Sequence, residues 1–354
     1  MPTRDATVMK RPSQNDVAKL AGVSRATVSL VLNGVTNGNV TISEETRKRV
    51  WDAIEELDYV PNARARALVS GDTKTLGLII PDMRNPHFWE AAEGVEQEAR
   101  GAGYHLLLSN IALQYEYANE IFTDLLHQRI DGLIVMGSFT AASEEVNAYL
   151  SRFFKRHLPI VEMCDDYNEH YQVDRVSTDY HTATIEAMSY LLEMNHRRIG
   201  MLYGVAVPEL GVDRLQPYKE RLISAGLPVE EELIVQCGPT IEEGYQAALK
   251  LLTLAHHPTA IIVINDLLAI GALRAINDFG LHVPADISLL SYDNINISNY
   301  IVPRLTTVSK DILSMGRTAV RLLLSRLQEP DRPYQTERAS ARLIIRESTG
   351  PAPD

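Results

Sequence analysis

The sequence predicts an α/β protein in which a small N-terminal unit of three helices precedes a large body with doubly wound parallel sheets. Two observations predict this fold class. Residues 13–57 place apolar side chains at helical spacing, between Ser and Gly residues of the kind that begin and end helices. From Leu76 onward, short apolar runs alternate with amphipathic stretches, which is typical of buried parallel strands joined by helices.

Length and composition limit the possible classes of protein. The chain has 354 residues, of which 45% are hydrophobic, and it contains no apolar run long enough to span a bilayer. Residues 1–12 lack the hydrophobic core of a signal peptide, so we expect a disordered lead and a cytoplasmic protein. Cys164 and Cys237 belong to no Cys-x-x-Cys or Cys/His cluster, so we expect free thiols and no metal site.

The charge of the chain is unevenly distributed. The net charge is −12, yet residues 1–49 hold eight Lys or Arg against four Asp or Glu, which leaves −16 for the remainder. A basic head on an acidic body indicates a protein that contacts phosphates at one end only.

The first helix is predicted from its boundaries and its apolar stripe. Ser13 is a candidate N-cap, with Asp16 completing a variant of the capping box. Val17, Leu20 and Ala21 form the apolar stripe, and Gly22 ends the helix, because glycine adopts a left-handed conformation at little cost.

Two more helices follow. Ser24 can cap a second helix whose polar and small residues lie opposite an apolar face of Val28, Val31 and Leu32. Ser43 begins a third, with an apolar face of Val50, Ala53, Ile54 and Leu57. Spacing alone is equally compatible with a piece of helical core, but the third helix can enclose a small core with the other two. We therefore interpret the stretch as a helix-turn-helix, whose second helix enters the DNA major groove.

A short segment rich in Ala and Arg separates this unit from the body. Pro61 ends the preceding element and Gly71 closes the segment. Such a segment is too short to be a stable helix by itself in water, and its composition also fits a plain interdomain linker.

The body contains nine candidate strands, too many for one compact sheet. A stretch without periodicity, Asp165–Ser177, divides them into two halves. Two doubly wound subdomains would place a ligand between the carboxyl ends of their strands. The candidate strands are Leu76–Ile80, Tyr104–Ser109, Gly132–Met136, Pro159–Met163, Ile199–Tyr203, Leu233–Gln236, Ala260–Ile264, Ile287–Ser291 and Leu305–Val308.

Residues 16–29, Asp-Val-Ala-Lys-Leu-Ala-Gly-Val-Ser-Arg-Ala-Thr-Val-Ser, resemble the DNA-binding headpiece of the lactose-repressor (LacI/GalR) family. The resemblance implies a headpiece over 13–60, a hinge helix and linker over 61–75, and an effector-binding and dimerisation domain over 76–354. In the hinge, Leu68 matches a leucine that wedges into the minor groove. The implied DNA-binding residues are Ser24, Arg25, Ala26, Thr27, Ser29, Asn33, Asn62, Ala65 and Leu68.

The body resembles the periplasmic-binding-protein-like effector domain of the same family. Residues 76–88, 129–134, 265–272, 283–288, 291–294 and 303–308 carry the resemblance. It implies three crossings between the subdomains, near Val173–Ser177, Asp293–Pro303 and Pro333. The first subdomain would then comprise about 76–173 and 304–333, and the second about 174–303 and 334–346.

Polar side chains at strand ends are candidates for binding the hydroxyl groups of a sugar, together with an aromatic ring. By the resemblance, Arg214, Asn265 and Asp293 contact the effector and Phe88 lines the pocket. The alternative is that such residues cap helices, and Asn265 or Asp266 is placed to do so. The complete set of candidate effector-binding residues is Asp82, Asn85, Phe88, Trp89, Asp165, Arg214, Asn265 and Asp293.

Some positions depart from the family pattern. Pro217 stands where Gly is usual, Cys164 where a cleft aspartate is common, and Pro239 where some relatives place a stacking aromatic. These departures leave the effector open between a sugar or sugar derivative and a purine or nucleoside acting as corepressor.

The resemblance implies a transcriptional repressor of carbohydrate-utilisation genes that binds a pseudo-palindromic operator as a homodimer, without a cofactor. A cytoplasmic solute-binding protein without gene regulation is the alternative class. An enzyme is not expected, because the chain lacks Gly-x-Gly-x-x-Gly, Walker, Gly-x-Ser-x-Gly and His-Glu-x-x-His motifs. No leucine heptad follows Arg346, so tetramerisation through a C-terminal coiled coil is not expected.

Overall fold

The computed structural model describes residues 12–33, 42–60, 73–111, 118–137, 152–164, 172–204 and 212–353, within two compact units, Met1–Thr73 and Lys74–Asp354. The predicted disordered lead, apart from residue 12, lies outside the described residues. So does the predicted hinge and linker, apart from residues 73–75.

The first unit contains the three predicted helices, which we call the headpiece: α1 (Gln14–Ala21), α2 (Arg25–Asn33) and α3 (Glu44–Glu56). Ser13 donates to the Asp16 carboxylate from its backbone N–H at 2.8 Å and from its hydroxyl at 2.6 Å. Gly22 ends α1 in the left-handed conformation, with φ of 66°. The helix boundaries that the sequence predicted are therefore confirmed.

The core of the headpiece differs from the predicted stripe at one position. Leu20 is 46% exposed, so its assignment to the core is wrong, and Ala18 is buried beside Val17 instead. The buried face of α1 is thus formed by Val17, Ala18 and Ala21, at positions i, i+1 and i+4, and Leu20 lies on the flank of the helix. The buried apolar residues are Val17, Ala18, Ala21, Val28, Val31, Val50 and Ala53.

The second unit contains two six-stranded sheets. The first has the order β11-β5-β4-β3-β1-β2 and is parallel throughout, and the second has the order β12-β10-β9-β8-β6-β7, with only β12 antiparallel. The strands are β1 (Thr75–Ile80), β2 (His105–Asn110), β3 (Gly132–Met136), β4 (Ile160–Met163), β5 (Asp174–Thr178), β6 (Ile199–Gly204), β7 (Ile234–Cys237), β8 (Ala260–Val263), β9 (Ser288–Tyr292), β10 (Thr306–Lys310), β11 (Thr336–Ala339) and β12 (Ala341–Ile344).

The helices cover the faces of these sheets, as doubly wound topology requires. They are α4 (Pro86–Gly101), α5 (Ala118–His127), α6 (Tyr180–Glu193), α7 (Val212–Ser224), α8 (Ile241–Leu252), α9 (Asp266–Asp278) and α10 (Ile312–Gln328). Along β1, Leu78 packs into one core cluster and Ile79 into another, because successive side chains of a strand point to opposite faces.

Each subdomain contains a helix pair held close by glycines. In the first, α4 packs on α10, and a Cβ atom at Gly94 or Gly316 would collide with the backbone of the facing helix. In the second, α8 packs on α9, and Gly244 and Gly271 allow the same close approach.

The crossings between the subdomains are displaced from their predicted positions. The chain crosses at Asp179, between β5 and α6; at Asp311, between β10 and α10; and at Ser340, between β11 and β12. Residues 174–178 and 336–339 therefore belong to the first subdomain and 306–310 to the second, contrary to the predicted boundaries. The first crossing was predicted too early because β5 begins with charged residues, Asp174 and Arg175, that resemble a loop.

Those charges are buried because distant residues pair with them. Asp174 accepts hydrogen bonds from Arg326 at 3.0 Å and from Arg332 at 2.8 Å, and Arg175 donates to Glu162 at 3.0 Å. Buried charges are tolerated only with such partners. The partners are distant in sequence, so a local pattern of residues does not reveal that the charges will be buried.

Candidate functional site

The N-terminus of α2 presents the residues predicted to read DNA. Ser24, Arg25 and Ala26 are exposed, and Thr27 and Ser29 are half-buried. The Ser24 hydroxyl accepts the Thr27 N–H at 3.1 Å, so this serine caps the helix. Arg25 and Ala26 are then the side chains that project outward without a capping role.

Arg25 has a partner that the sequence did not predict. Its Nε donates to Oε1 of Gln14, the first residue of α1, at 3.2 Å. Asn33 is the last residue of α2. Four predicted site residues lie outside the described part of the chain: Asn62, Ala65, Leu68 and Asp165.

Three predicted effector residues lie at the carboxyl ends of strands in the second sheet or on the helix after such a strand. Asn265 follows β8 and Asp293 follows β9, its neighbour in the sheet, while Arg214 lies on α7 after β6. The carboxyl ends of parallel strands share one edge of the sheet, so the topology gathers these residues at that edge.

Arg214 lies over an aromatic ring. Its guanidinium carbon lies 3.8 Å from the ring centroid of Tyr180, and Nη1 donates to Asp213 at 3.1 Å. The Nζ of Lys310, at the end of β10, lies 4.8 Å from the centroid of the same ring. Both cations are buried, so Tyr180 orders two charged groups at the sheet edge.

Asn265 does cap a helix, as the alternative interpretation proposed. Its Oδ1 accepts the Leu268 N–H at 2.8 Å at the start of α9. Within the described residues its Nδ2 has no hydrogen-bond partner, so the cap does not prevent it from donating to a ligand.

Asp293 occupies an unusual backbone conformation. Its φ is 95° and that of Asn294 is 56°, in the region that favours glycine. Asn294 is fixed by a hydrogen bond from Arg346 at 2.6 Å and by its own hydrogen bond to Ser309 at 3.1 Å. Surrounding contacts thus impose the strained turn that carries the Asp293 carboxylate.

A buried carboxylate beside this turn anchors it further. Asp266 accepts hydrogen bonds from the Ile295 N–H at 2.8 Å, the Ser298 hydroxyl at 2.6 Å and the Thr307 hydroxyl at 3.1 Å. It also accepts one from the Ser291 hydroxyl. Burial, and then the charge of Asp293, raise the pKa of Asp266 to about 6.

The predicted residues of the first subdomain are contacted mainly by their own neighbours in sequence. Arg84 donates from Nε and Nη2 to the two oxygens of Asp82, each at 2.9 Å, which raises the pKa of the Arg84 guanidinium. Asn85 caps α4 by accepting the His87 N–H at 3.0 Å. The remaining two residues are Phe88, which packs on the core, and Trp89, 45% exposed, whose Nε1 donates to the Met83 carbonyl at 2.8 Å.

One contact joins the two subdomains at these strand ends. His87 Nδ1 lies 3.7 Å from the Asp293 carboxylate, and both side chains are buried. We call the region around this contact the cleft. Sequence reasoning missed His87, although its place before Phe88, in the first turn after β1, was a usable signal.

Comparison with known proteins identifies the family. Residues 14–62 match the family model of bacterial regulatory proteins of the lacI family, and residues 188–349 match that of a periplasmic binding protein-like domain. The HTH-type transcriptional repressor PurR of Escherichia coli is 36% identical over 346 residues, which cover 96% of this chain and 97% of PurR. The chain belongs to the LacI family.

Solved structures of LacI-family proteins have the same fold. The lac repressor dimer bound to operator and the anti-inducer ONPF has a TM-score of 0.82 and 26% identity, over 96% of this chain and 100% of that chain. A LacI-family regulator from Enterococcus faecium with bound ribose has a TM-score of 0.70 and 29% identity, over 78% and 99% of the two chains. The predicted fold class and family are therefore confirmed.

As a LacI-family protein, this chain is a DNA-binding transcriptional regulator, which confirms the functional class that the sequence indicated. None of the helices in the described segments is long and apolar enough to cross a bilayer. Among the described residues there is no cluster of His, Cys, Asp or Glu side chains that could hold a metal ion.

Proposed function

We propose that this LacI-family protein is a cytoplasmic repressor without enzymatic activity, which binds a pseudo-palindromic operator as a homodimer and responds to a small molecule in the cleft. The observation that carries the proposal is the His87–Asp293 contact, because it brings Asp293 of the second subdomain to α4 of the first. A ligand bound there touches both subdomains, so its affinity depends on how far they are closed.

A sugar or sugar derivative fits the described part of the cleft best. Three acidic side chains there already face a basic partner within 4 Å: Asp82 with Arg84, Asp213 with Arg214, and Asp293 with His87. Such pairs offer donors and acceptors side by side, which suits the hydroxyl groups of a sugar. The ribose-bound relative supports this assignment, and genes of carbohydrate utilisation are then the expected targets.

A purine effector is the second candidate, favoured by the 36% identity to PurR along nearly the whole chain. The two candidates make different predictions in one assay. Full-length protein is heated with individual monosaccharides, disaccharides, purine bases and nucleosides, because a ligand that binds only the folded state raises the melting temperature. A sugar that raises it supports the first candidate, and a purine that does so replaces it.

The same ligand must change operator affinity. A duplex selected from a random library by the full-length protein serves as the operator, and its affinity is measured with and without the ligand. An inducer weakens binding and a corepressor strengthens it. Unchanged affinity would refute control of DNA binding by that ligand, whereas a protein that selects no duplex would support a solute-binding protein without gene regulation. Mass spectrometry of the recovered ligand would detect any turnover.

The proposed dimer surface lies on the second subdomain. A groove of about 400 Å³ is lined by α9, by residues 281–283 and by Val302 and Pro303. Val302, in its lining, is 89% exposed and nearby Tyr300 is 78% exposed, and exposed apolar side chains that cluster at a groove are a feature of interfaces.

We expect Val302→Asp to disrupt the homodimer, since a charge would be buried without a partner. Sedimentation equilibrium should then show a monomer, with operator affinity reduced at least tenfold. Val60→Asp is a control for the oligomeric state, because Val60 is 78% exposed but belongs to the other compact unit. A dimer that persists in Val302→Asp would place the interface elsewhere.

A further inference from the structure

The N-termini of α1 and α2 lie side by side in the headpiece. Gln14 and Arg25 are the first residues of these helices, and Arg25 Nε donates to Gln14 Oε1 at 3.2 Å. The left-handed Gly22 sets the turn between the helices, and the buried Val17 and Val28 pack them together. The hydrogen bond therefore spans two elements whose relative position is fixed by the core.

This hydrogen bond determines which groups remain for another molecule. Since Oε1 of Gln14 accepts from Arg25, its Nε2 donors must point away from that contact. Within the described residues, neither Nε2 of Gln14 nor the Nη atoms of Arg25 have a protein hydrogen-bond partner. The pair thus presents unpaired N–H donors from two side chains at the end of the helix that enters the major groove.

Guanine is the base whose major-groove edge fits such a donor pair. Its O6 and N7 are adjacent acceptors that match the two Nη groups of an arginine held by Nε. An exposed arginine otherwise samples many rotamers, and ordering it on binding weakens the complex. A partner that accepts from Nε removes part of that cost before DNA arrives.

We propose that Gln14 is a positioning residue that sets base specificity: it orients Arg25 so that its Nη groups meet a guanine in each half-site. The inference rests on the DNA-binding function proposed above and extends it to a residue outside the recognition helix. Gln14 acts through Arg25, so substitution of Gln14 should change base preference at the base pair that Arg25 contacts.

The test compares base preferences of full-length variants. Wild-type protein first selects an operator from a random duplex library, and Arg25→Ala identifies the base pair at which preference for guanine is lost. Affinities for the four bases at that position are then measured for Gln14→Leu, Gln14→Ala and Gln14→Glu. Asn15→Ala is the matched control, because Asn15 is exposed on the same helical turn.

Gln14→Leu and Gln14→Ala remove the acceptor for Arg25 Nε, so each should reduce the preference for guanine about fivefold or more. Gln14→Glu keeps an acceptor and should retain the preference to within about twofold, even if overall affinity falls through repulsion from phosphates. Asn15→Ala should leave the preference unchanged. Melting curves verify that every variant folds.

Three outcomes would overturn the inference. Guanine preference could survive in both acceptor-free variants, or Gln14→Glu could lose it as completely as they do. Preference could also change only at a different base pair, in which case Gln14 reads that base itself. Failure of the wild-type protein to enrich any sequence, both with and without the ligand found in the thermal screen, would refute sequence-specific DNA binding, so the two failures are distinguishable.

Discussion

The cleft has two walls, which are held in place in different ways. We call residues 82–89 of the first subdomain the first wall, and Asp293 with the network around Asp266 and Asn294 in the second subdomain the second wall. In the first subdomain, Arg84 pairs with Asp82 two residues away, and Trp89 donates to the carbonyl of Met83 six residues away. In the second, Asp266 is bonded to Thr307 across 41 residues, and Asn294 to Arg346 across 52. The first wall is held mainly within one stretch of chain, apart from the hydrogen bond that the Met83 N–H donates to Asn110 at 3.2 Å, and the other is assembled from several elements.

This difference implies different responses to substitution. Removal of the Asp82 side chain from the first wall should disturb only its sequence neighbours, because its carboxylate accepts hydrogen bonds only from Arg84 within the described residues. A residue removed from the network of the second wall should release several segments together, among them the strained turn that carries Asp293. The following substitutions test this contrast.

The largest loss of stability is expected for Asp266→Ala. The substitution leaves the Ser291, Ser298 and Thr307 hydroxyls and the Ile295 N–H without their buried acceptor. We expect the free energy of unfolding to fall by about 3 kcal/mol, since each stranded buried donor costs on the order of 1 kcal/mol. Urea denaturation followed by circular dichroism measures it, and a loss below about 1 kcal/mol would contradict the role of Asp266 as an anchor.

The same carboxyl group should make stability depend on pH. Its pKa is raised from 3.8 to about 6 in the folded protein, chiefly by burial. The folded state therefore binds this proton more tightly than the unfolded chain, so the contribution is complete below pH 3.8 and is lost as the pH rises through about 6. Relative to Asp266→Asn, the wild type should lose about 2–3 kcal/mol between pH 4 and pH 7. Parallel curves for the two proteins would show that Asp266 does not titrate in this range.

Effector affinity should depend strongly on the second wall. Arg214→Ala and Asp293→Ala each remove a group with buried polar partners, and each should weaken the effector by at least about 1.4 kcal/mol, or tenfold. Isothermal titration with the ligand found in the thermal screen measures this loss. Basal operator binding should be retained, because neither residue belongs to the headpiece. Wild-type affinity in both variants would remove the cleft as the effector site.

The smallest effect on stability is expected for Asp82→Ala. Its partner Arg84 has a side chain that is 65% exposed, so solvent screens their ion pair. We expect the free energy of unfolding to fall by about 0.5 kcal/mol. The measurement is the one used for Asp266→Ala, and an equal loss in both variants would abolish the proposed difference between the two walls.

Much of the fold could be predicted from local sequence. All nine predicted strands are present within two residues of their expected ends, and β3 has the expected bounds, Gly132–Met136. Apolar runs signal buried strands because the side chains in contact with the core are consecutive in sequence. The caps at Ser13 and Ser43 were predictable for the same reason, since a cap bonds to a residue three positions away.

The candidate site was predictable only in part. Asn265, Asp293 and Arg214 were found because they follow strands or match family positions, and the structure gathers them at one sheet edge. His87 and Gln14 were missed because their significance comes from partners, Asp293 and Arg25, on other elements. A residue type does not indicate which distant side chain it will face.

Local patterns in the sequence were enough to predict the family, the strands with apolar interiors, the headpiece helices and the stretch that forms the first wall. The crossings, the strand β5 and the network behind Asp293 became apparent from the packing of distant segments. These depend on buried charges such as Asp174, whose partner Arg326 lies 152 residues along the chain. Burial of a charge is unfavourable unless a partner is present, so the conformation of such a residue is decided where the chain brings that partner to it.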